Sequence, residues 1–415
     1  MNKSVVLGIV GALVCAFAVR ESVRIGYART QAIKALNWND VASAERATRL
    51  LSSDAEVHAA RGVVLQRTEN YADACRELER AIQLRPRDYF LWMMLGVTRD
   101  LNDDPTGGLA ALQESVRLAP LYAKPRWLTG NLLLRLGQVD EAFQHLRFAA
   151  ERDAALLPNV IDLAWGISGN DSGKTVELIA PQTDAAHMAL AIFLAAHKEG
   201  VAAVDQYRKV KLPPSGASNQ LTEKLIESRL FWDADYVFRS HCSTCAPEQF
   251  VNGSFEDDVE IGNRTFGWQI PSDVPGVLLS VDDAEHADRA RSLRLDFQGN
   301  TNPQTVLLSQ IVTVERGARY RISFYAMTRS FVSAASPVVR VIDASDEKLA
   351  VLGEAIVSAN ASGWQNYAVD FVTGQNTQAV RVIVIRTNCP NNSCAAFGTV
   401  WFDSFSIDHV LEPQH

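Results

Sequence analysis

Six cysteines are the residues best placed to do chemistry: Cys15, Cys75, Cys242, Cys245, Cys389 and Cys394. Four of them fall in two close pairs, Cys242-x-x-Cys245 and Cys389 with Cys394, at the two ends of the C-terminal region. Four thiolates brought together could hold a tetrahedral zinc ion. In an oxidising compartment the same four would form disulfides, and four cysteines allow three pairings. The reading favours disulfides, because the first residues suggest export. A redox-active Cys-x-x-Cys would sit in a βαβ pattern, and none surrounds Cys242. Cys75 reads as a buried free thiol.

Carboxylates cluster at Asp257-Asp258, Asp282-Asp283 and Asp343 with Asp346. Glycoside hydrolysis needs two acids at a defined separation across a cleft, and nothing in the sequence marks such a pair. Neither Gly-x-Ser-x-Gly nor His-Glu-x-x-His occurs. His241 beside Cys242 reads as incidental. Gly169 to Gly173 before Lys174-Thr175 imitates a phosphate loop, but the first glycine and the preceding strand are missing. The expectation is therefore a protein that binds, with no catalytic residue.

Those residues must be positioned by folded elements, and the composition allows it. The chain has 415 residues, 47% hydrophobic and 21% charged, which suits two or three globular domains. Its net charge of −8 and the lack of a basic block argue against nucleic acid as a partner.

The clearest organisation runs from Ala55 to Leu156. Three 34-residue units begin at Ala55, Tyr89 and Ala123. Their eighth positions are Gly62, Gly96 and Gly130, and their twentieth are Ala74, Gly108 and Ala142. Leu78, Leu112 and Leu146 share the twenty-fourth, and Ala81, Ser115 and Ala149 the twenty-seventh. This period resembles the tetratricopeptide repeat. Trp92 holds the usual aromatic position, Trp127 is one residue late, and the third unit lacks the proline seen at Pro86 and Pro120. The resemblance implies stacked helical hairpins whose curved surface binds a protein partner. One hairpin cannot bury its apolar face alone, so neighbours must stack.

Before the repeats, Val5 to Val19 run apolar without a charge. Fifteen residues are short of the roughly 17–25 that span a bilayer. Ala16-Phe17-Ala18 also fits a small-x-small cleavage pattern. The reading prefers an anchor at residues 4–19 in the inner membrane, with the bulk on the periplasmic side. Secretion after cleavage near Ala18 is the rival. Arg20 to Ser53 read as a degenerate capping hairpin with its turn at Asn37 to Asp40. After Leu156 helices continue through Leu221 to Phe238, read as one last helix. The expected domains are an anchor or signal segment at 1–20, a helical repeat domain at 21–240 and a third domain at 241–415.

From about Glu248 the period becomes alternating, over Ser292 to Phe297, Thr305 to Val314, Tyr320 to Ala326, Val338 to Ile342, Tyr367 to Val372, Ala379 to Ile385 and Thr399 to Ile407. Short strands between Gly, Asn and Pro turns argue an antiparallel β-sandwich, a jelly roll of about eight strands. The fold class is thus multidomain α plus β: a membrane helix, an α-solenoid and a sandwich.

Four segments in order resemble jelly-roll carbohydrate-binding modules of families 4, 9 and 22. They are Asn252-Gly253-Ser254-Phe255-Glu256 followed by Trp268, Gly317-x-x-Tyr320 through Ala326, Trp364-x-x-Tyr367, and Val400-Trp401-Phe402-Asp403-Ser404-Phe405-Ser406-Ile407. The resemblance implies that the first segment is an opening strand. It also implies a structural calcium on Glu256 and Asp403, where hard carboxylate oxygens would suit the ion. The competing role for both acids is hydrogen bonding to backbone amides at strand ends. For glycan binding the resemblance points to Trp268, Tyr325 and Arg329, with Asn300, Asn302 and Gln310 near a loop-strand junction. Trp364 and Trp401 read as core. The whole implies a non-enzymatic tethered adaptor, repeats on a protein and jelly roll on a glycan, of the kind associated with exopolysaccharide or O-antigen assembly and export. The alternatives are a protein scaffold that has lost sugar binding and a polysaccharide-modifying enzyme.

Overall fold

The computed structural model describes residues 3–242, 245–389 and 394–410. The chain divides into two compact units, Met1–Ala180 and Pro181–His415.

The first unit is helical. Its repeats are the hairpins α3 (Ala55–Arg67) with α4 (Tyr71–Leu84), α5 (Tyr89–Leu101) with α6 (Pro105–Leu118), and α7 (Ala123–Arg135) with α8 (Val139–Arg152). Each pair starts on the register read from the sequence. The packing explains the pattern. A Cβ added at Gly62, Gly96 or Gly130 would lie 2.8, 2.6 or 2.7 Å from Cγ of Leu78, Leu112 or Leu146. The glycine of the first helix is the hollow that seats the leucine of the second. Asp54, Asn70, Asp88 and Asp104 cap α3 to α6 by accepting a backbone N–H, whereas α7 and α8 begin without a side-chain cap.

The capping hairpin is α1 (Lys3–Trp38) with α2 (Val41–Leu50), turning where expected. Ala28, Ala32, Ala47 and Leu51 bury it against Val57 and Ala60 of α3. Among the described residues no helix is long and apolar enough to cross a membrane. The expected membrane helix therefore gains no support. Fifteen residues give about 22 Å of helix against a hydrocarbon core of ~30 Å, and α1 continues through Arg20, Arg24 and Arg29 into the stack. The unit ends with α9 (Leu157–Ile167) and α10 (Ser172–Ile179). The segment read as a plain loop, Gly169 to Gly173, ends as the start of α10, because the Asp171 carboxylate caps the Lys174 amide.

The second unit joins four helices to the sandwich. The helices are α11 (Asp184–Ala196), α12 (Gly200–Tyr207), α13 (Ala217–Glu227) and α14 (Phe231–Arg239). The single helix expected from Leu221 to Phe238 is broken at Arg229, whose φ is +61°. Phe238 of α14 packs at a tilt against Phe266, with ring centroids 5.4 Å apart.

Nine strands follow among the described residues: β1 (Val277–Asp282), β2 (Ser292–Thr301), β3 (Leu308–Thr313), β4 (Arg319–Val332), β5 (Pro337–Asp343), β6 (Val351–Ile356), β7 (Gln365–Val372), β8 (Ala379–Arg386) and β9 (Cys394–His409). They form two antiparallel sheets ordered β1-β2-β9-β4-β7 and β3-β8-β5-β6. Leu293, Leu295, Ile322, Phe324, Val400 and Phe402 from one sheet meet Val312, Val339, Val341, Val382 and Val384 from the other. The segment Asn252 to Glu256 is a turn and not a strand. Asn252 and Phe255 take φ of +54° and +55°, and Gly253 lies against β9, where a Cβ would meet the Phe405 carbonyl oxygen at 2.3 Å.

Disulfides join Cys242 to Cys245 and Cys389 to Cys394, with Cα atoms 5.4 and 6.4 Å apart. Cys75 is a buried free thiol. Arg386, fully buried beside the second disulfide, donates to Thr301 O, Ser333 Oγ and Cys394 O and so ties β2 to β9.

Candidate functional site

Alternation sorts the five-stranded sheet into two faces. Since Val400 and Phe402 enter the core, the residue between them, Trp401, faces out. Its neighbours across the ladder are Arg294 on β2 and Met327 on β4. One register step on, Asp296, Thr399 and Arg329 stand in a row. Tyr325 is opposite Asp403 on β9 and Asn366 on β7. These side chains build one polar face.

Trp401 is its centre. The indole is only 2% exposed, because the Arg294 and Arg329 guanidinium groups lie 5.6 and 5.0 Å from its ring centroid. Such placements are favourable cation–π contacts. The indole N–H donates to Asp282 Oδ2 at 2.8 Å. Arg294 donates through Nη2 to Asp296 Oδ1 at 3.1 Å and lies 3.5 Å from Asp282. Thr399 Oγ1 donates to Asp296 Oδ1 at 2.7 Å, and Arg329 pairs with Glu285 at 2.5 Å. Burial pushes the Asp282 carboxyl up. The Trp401 N–H, the amides of Ala284 and Glu285 and the Arg294 charge outweigh that effect and hold it below the usual carboxylate range. Each acid around the indole is thus committed to a partner. The array can offer planar donors and acceptors to hydroxyl groups.

The structure distributes the expected glycan contacts unevenly. Tyr325 and Arg329 are exposed on this face. Asn300 is exposed too, but it pairs with Ala395 while Tyr325 pairs with Asp403. Eight residues of strand separate them, roughly 26 Å, so the two cannot touch one sugar ring. Asn302 is exposed beyond β2, its Oδ1 accepting the Gln304 amide.

Two expected contacts are corrected. Trp268 is 3% exposed, stacked at 5.1 Å on Phe255, and its indole N–H donates to Asn252 O. It closes the core and cannot meet a ligand. Gln310 is fully buried on the core side of β3, where its amide accepts from Val251 N–H and donates to Val251 O. Sequence reasoning missed Arg294, Asp296 and Glu285 and weighed Asp282 only as a hydrolytic acid; Trp401, read as core, is buried as expected, but under the outer face of the sheet.

The calcium expected on Glu256 and Asp403 does not fit these residues. Asp403 Oδ2 accepts the amides of Ala287 and Asp288 at 2.8 and 3.1 Å. Glu256 Oε1 accepts those of Ala290 and Arg291 at 3.0 and 3.1 Å. The Arg291 guanidinium donates to Glu256 O. Donors aimed at the carboxylates repel a cation, and among the described residues no group of three or more His, Cys, Asp or Glu could hold a metal. Both acids are a clamp that pins the loop 287–291 to the sheet. Burial raises the Asp403 carboxyl above its ordinary range, against the pull of the Asp288 and Ala287 amides.

The helical unit has its own hollow, a cavity of about 540 Å³ between α1, α3 and α5. Ile33, Leu36, Val63 and Met94 floor it, and Arg29 and Arg85 stand at its edge. Phe90 there is half exposed.

Residues 247–391 match the family described as Carbohydrate binding domain. The chain thus joins tetratricopeptide-like hairpins to a sandwich that resembles carbohydrate-binding modules. Among solved structures, the chain is similar to the CBM22-1 xylan-binding domain from Paenibacillus barcinonensis Xyn10C, at 18% identity over 40% of this chain and 98% of that one, with a TM-score of 0.30. A structure titled "CBM4 structure and function" aligns at 15% identity over 39% and 99%, with a TM-score of 0.29. MamA aligns at 13% identity over 46% and 89%, also at 0.29. At such scores these likenesses carry no functional weight. No curated protein matches the chain.

Proposed function

We propose that this protein is a non-enzymatic adaptor whose sandwich holds a glycan on the Trp401 face and whose helical repeats hold a protein. The observation that carries the reading is the carbohydrate-binding family match over residues 247–391. The polar outer face supports it, with Tyr325 and Arg329 accessible beside Trp401. Binding without catalysis is supported by the state of the acids, since Asp282, Asp296 and Glu285 are each held by an arginine. The apolar hollow among α1, α3 and α5 is the favoured seat for the protein partner. Two disulfides suit an oxidising compartment outside the cytoplasm, where an exopolysaccharide or O-antigen would be met. An N-terminal anchor is not needed for any of this.

One observation favours the second reading, a protein-assembly scaffold without sugar binding. Trp401 is roofed by two arginines and presents no open ring for stacking. Affinity electrophoresis of the full chain through gels containing bacterial and plant polysaccharides separates the two. The adaptor predicts retardation by at least one polysaccharide, lost in Tyr325→Ala and Arg329→Ala. Free migration through every gel by folded protein would favour the scaffold.

A further inference from the structure

The outer side of the four-stranded sheet is apolar, with Val338, Ile342, Ile383 and Ile385 forming a buried patch. Helices α13 and α14 cover it incompletely and leave a cavity of about 640 Å³. That volume is in the range of small-molecule sites, roughly 300–1,000 Å³. Ile226 and Phe231 from the helices face Ile342 and Ile383 from the strands.

One side chain in this cavity breaks the apolar pattern. Arg381 lies on β8 between Ile311 of β3 and Ile342 of β5. Among the described residues it forms no ion pair, and its one hydrogen bond goes to Gln269 Oε1 at 3.2 Å. Burial pushes its guanidinium below the ordinary arginine range. A guanidinium carries five N–H donors in a fork that matches a carboxylate. A half-buried charge with no ion pair among the described residues is costly. The other charged groups around the cavity do not answer it. Glu227 is taken by Lys224 at 2.7 Å, and Arg229 by Glu347 at 3.6 Å. Arg264 adds a second guanidinium against the single remaining acid, Glu223.

We propose that this cavity is a binding site for a small amphipathic carboxylate, its charged end on Arg381 and its apolar body against Ile226, Phe231, Ile342 and Ile383. The site lies on the opposite sheet from the Trp401 face and is independent of any glycan held there.

The test uses the full chain and two probes of one shape, 4-phenylbutyrate and the uncharged 4-phenylbutan-1-ol, titrated by calorimetry. The expected result is saturable one-to-one binding of the carboxylate, with the alcohol about tenfold weaker or more, as loss of a charge-assisted hydrogen bond predicts. Arg381→Met should weaken the carboxylate by about the same factor while leaving the alcohol unchanged. Its melting temperature should hold or rise, because a half-buried charge without an ion pair is removed. Arg381→Lys, which keeps the charge, should retain part of the affinity. No saturable binding, or equal affinity of wild type and Arg381→Met for the carboxylate, would overturn the proposal.

Discussion

Replacing Asp403 separates a hydrogen-bonded clamp from a metal site. Its Oδ2 accepts two amides, from Ala287 and Asp288, and the side chain is fully buried. Asp403→Ala strands both donors. Hydrogen bonds to a charged group contribute about 1.5–3 kcal/mol each, so losing two costs about 3–6 kcal/mol, offset in part by water reaching the amides of the exposed Ala287 and Asp288 and by no longer burying a charge. A net loss near 3 kcal/mol lowers the sandwich transition by roughly 6–12 °C. Asp403→Asn keeps an acceptor oxygen and removes the charge, so it should stay within about 1 kcal/mol of wild type. The sign with pH follows from the raised carboxyl. The folded chain keeps this proton to higher pH than the unfolded chain. Stability therefore falls as pH rises from the ordinary value of 3.8 through the raised one, and Asp403→Asn abolishes that slope. Scanning calorimetry of the full chain, with calcium and with EDTA, reads all of this. A drop of the sandwich transition on chelation, or an Asn variant as damaged as the Ala variant, would refute the clamp.

Gly96→Ala should destabilise the helical unit in urea. Its Cβ would lie 2.6 Å from Leu112 Cγ and 2.9 Å from the Gly108 carbonyl. Overpacking of about 1–3 kcal/mol then exceeds the ~1 kcal/mol that alanine gains in a helix. Gly62→Ala should be milder, since the nearest backbone atom is 3.4 Å away; stabilisation at both sites would sink the packing argument. His58 should titrate above 6.5 by NMR, its pKa raised chiefly by the hydrogen bond to Glu77 at 2.7 Å and lowered in Glu77→Gln. The stability it contributes is fully present below that value and lost as pH rises through the folded pKa. An unshifted His58 would contradict this.

The sequence made the repeats legible because a glycine and a leucine sixteen residues apart are one contact written three times. Seven strands were readable from alternation. β1 and β6 were not, because neither alternates cleanly between buried and exposed positions. The break at Arg229 escaped notice, since a left-handed arginine has no sequence signature. Trp268 misled because it lies outside any strand, where no alternation tells inside from outside. Trp401 is buried for another reason. Burial there comes from Arg294 and Arg329 folding over an outward face, and tertiary cover of that kind has no local pattern. The carboxylate partners of those arginines come from β1, β2 and the loop after β1, brought together only by strand order.

Whether the Trp401 face holds sugar is decided most directly by calorimetric titration of the full chain with a polysaccharide that retards it in gels. Wild type, Arg329→Ala and Glu354→Ala, the last on the opposite sheet, would be compared. Binding lost in Arg329→Ala and retained in Glu354→Ala is the predicted result. Equal affinity in all three, or none in wild type, would contradict glycan recognition by this face.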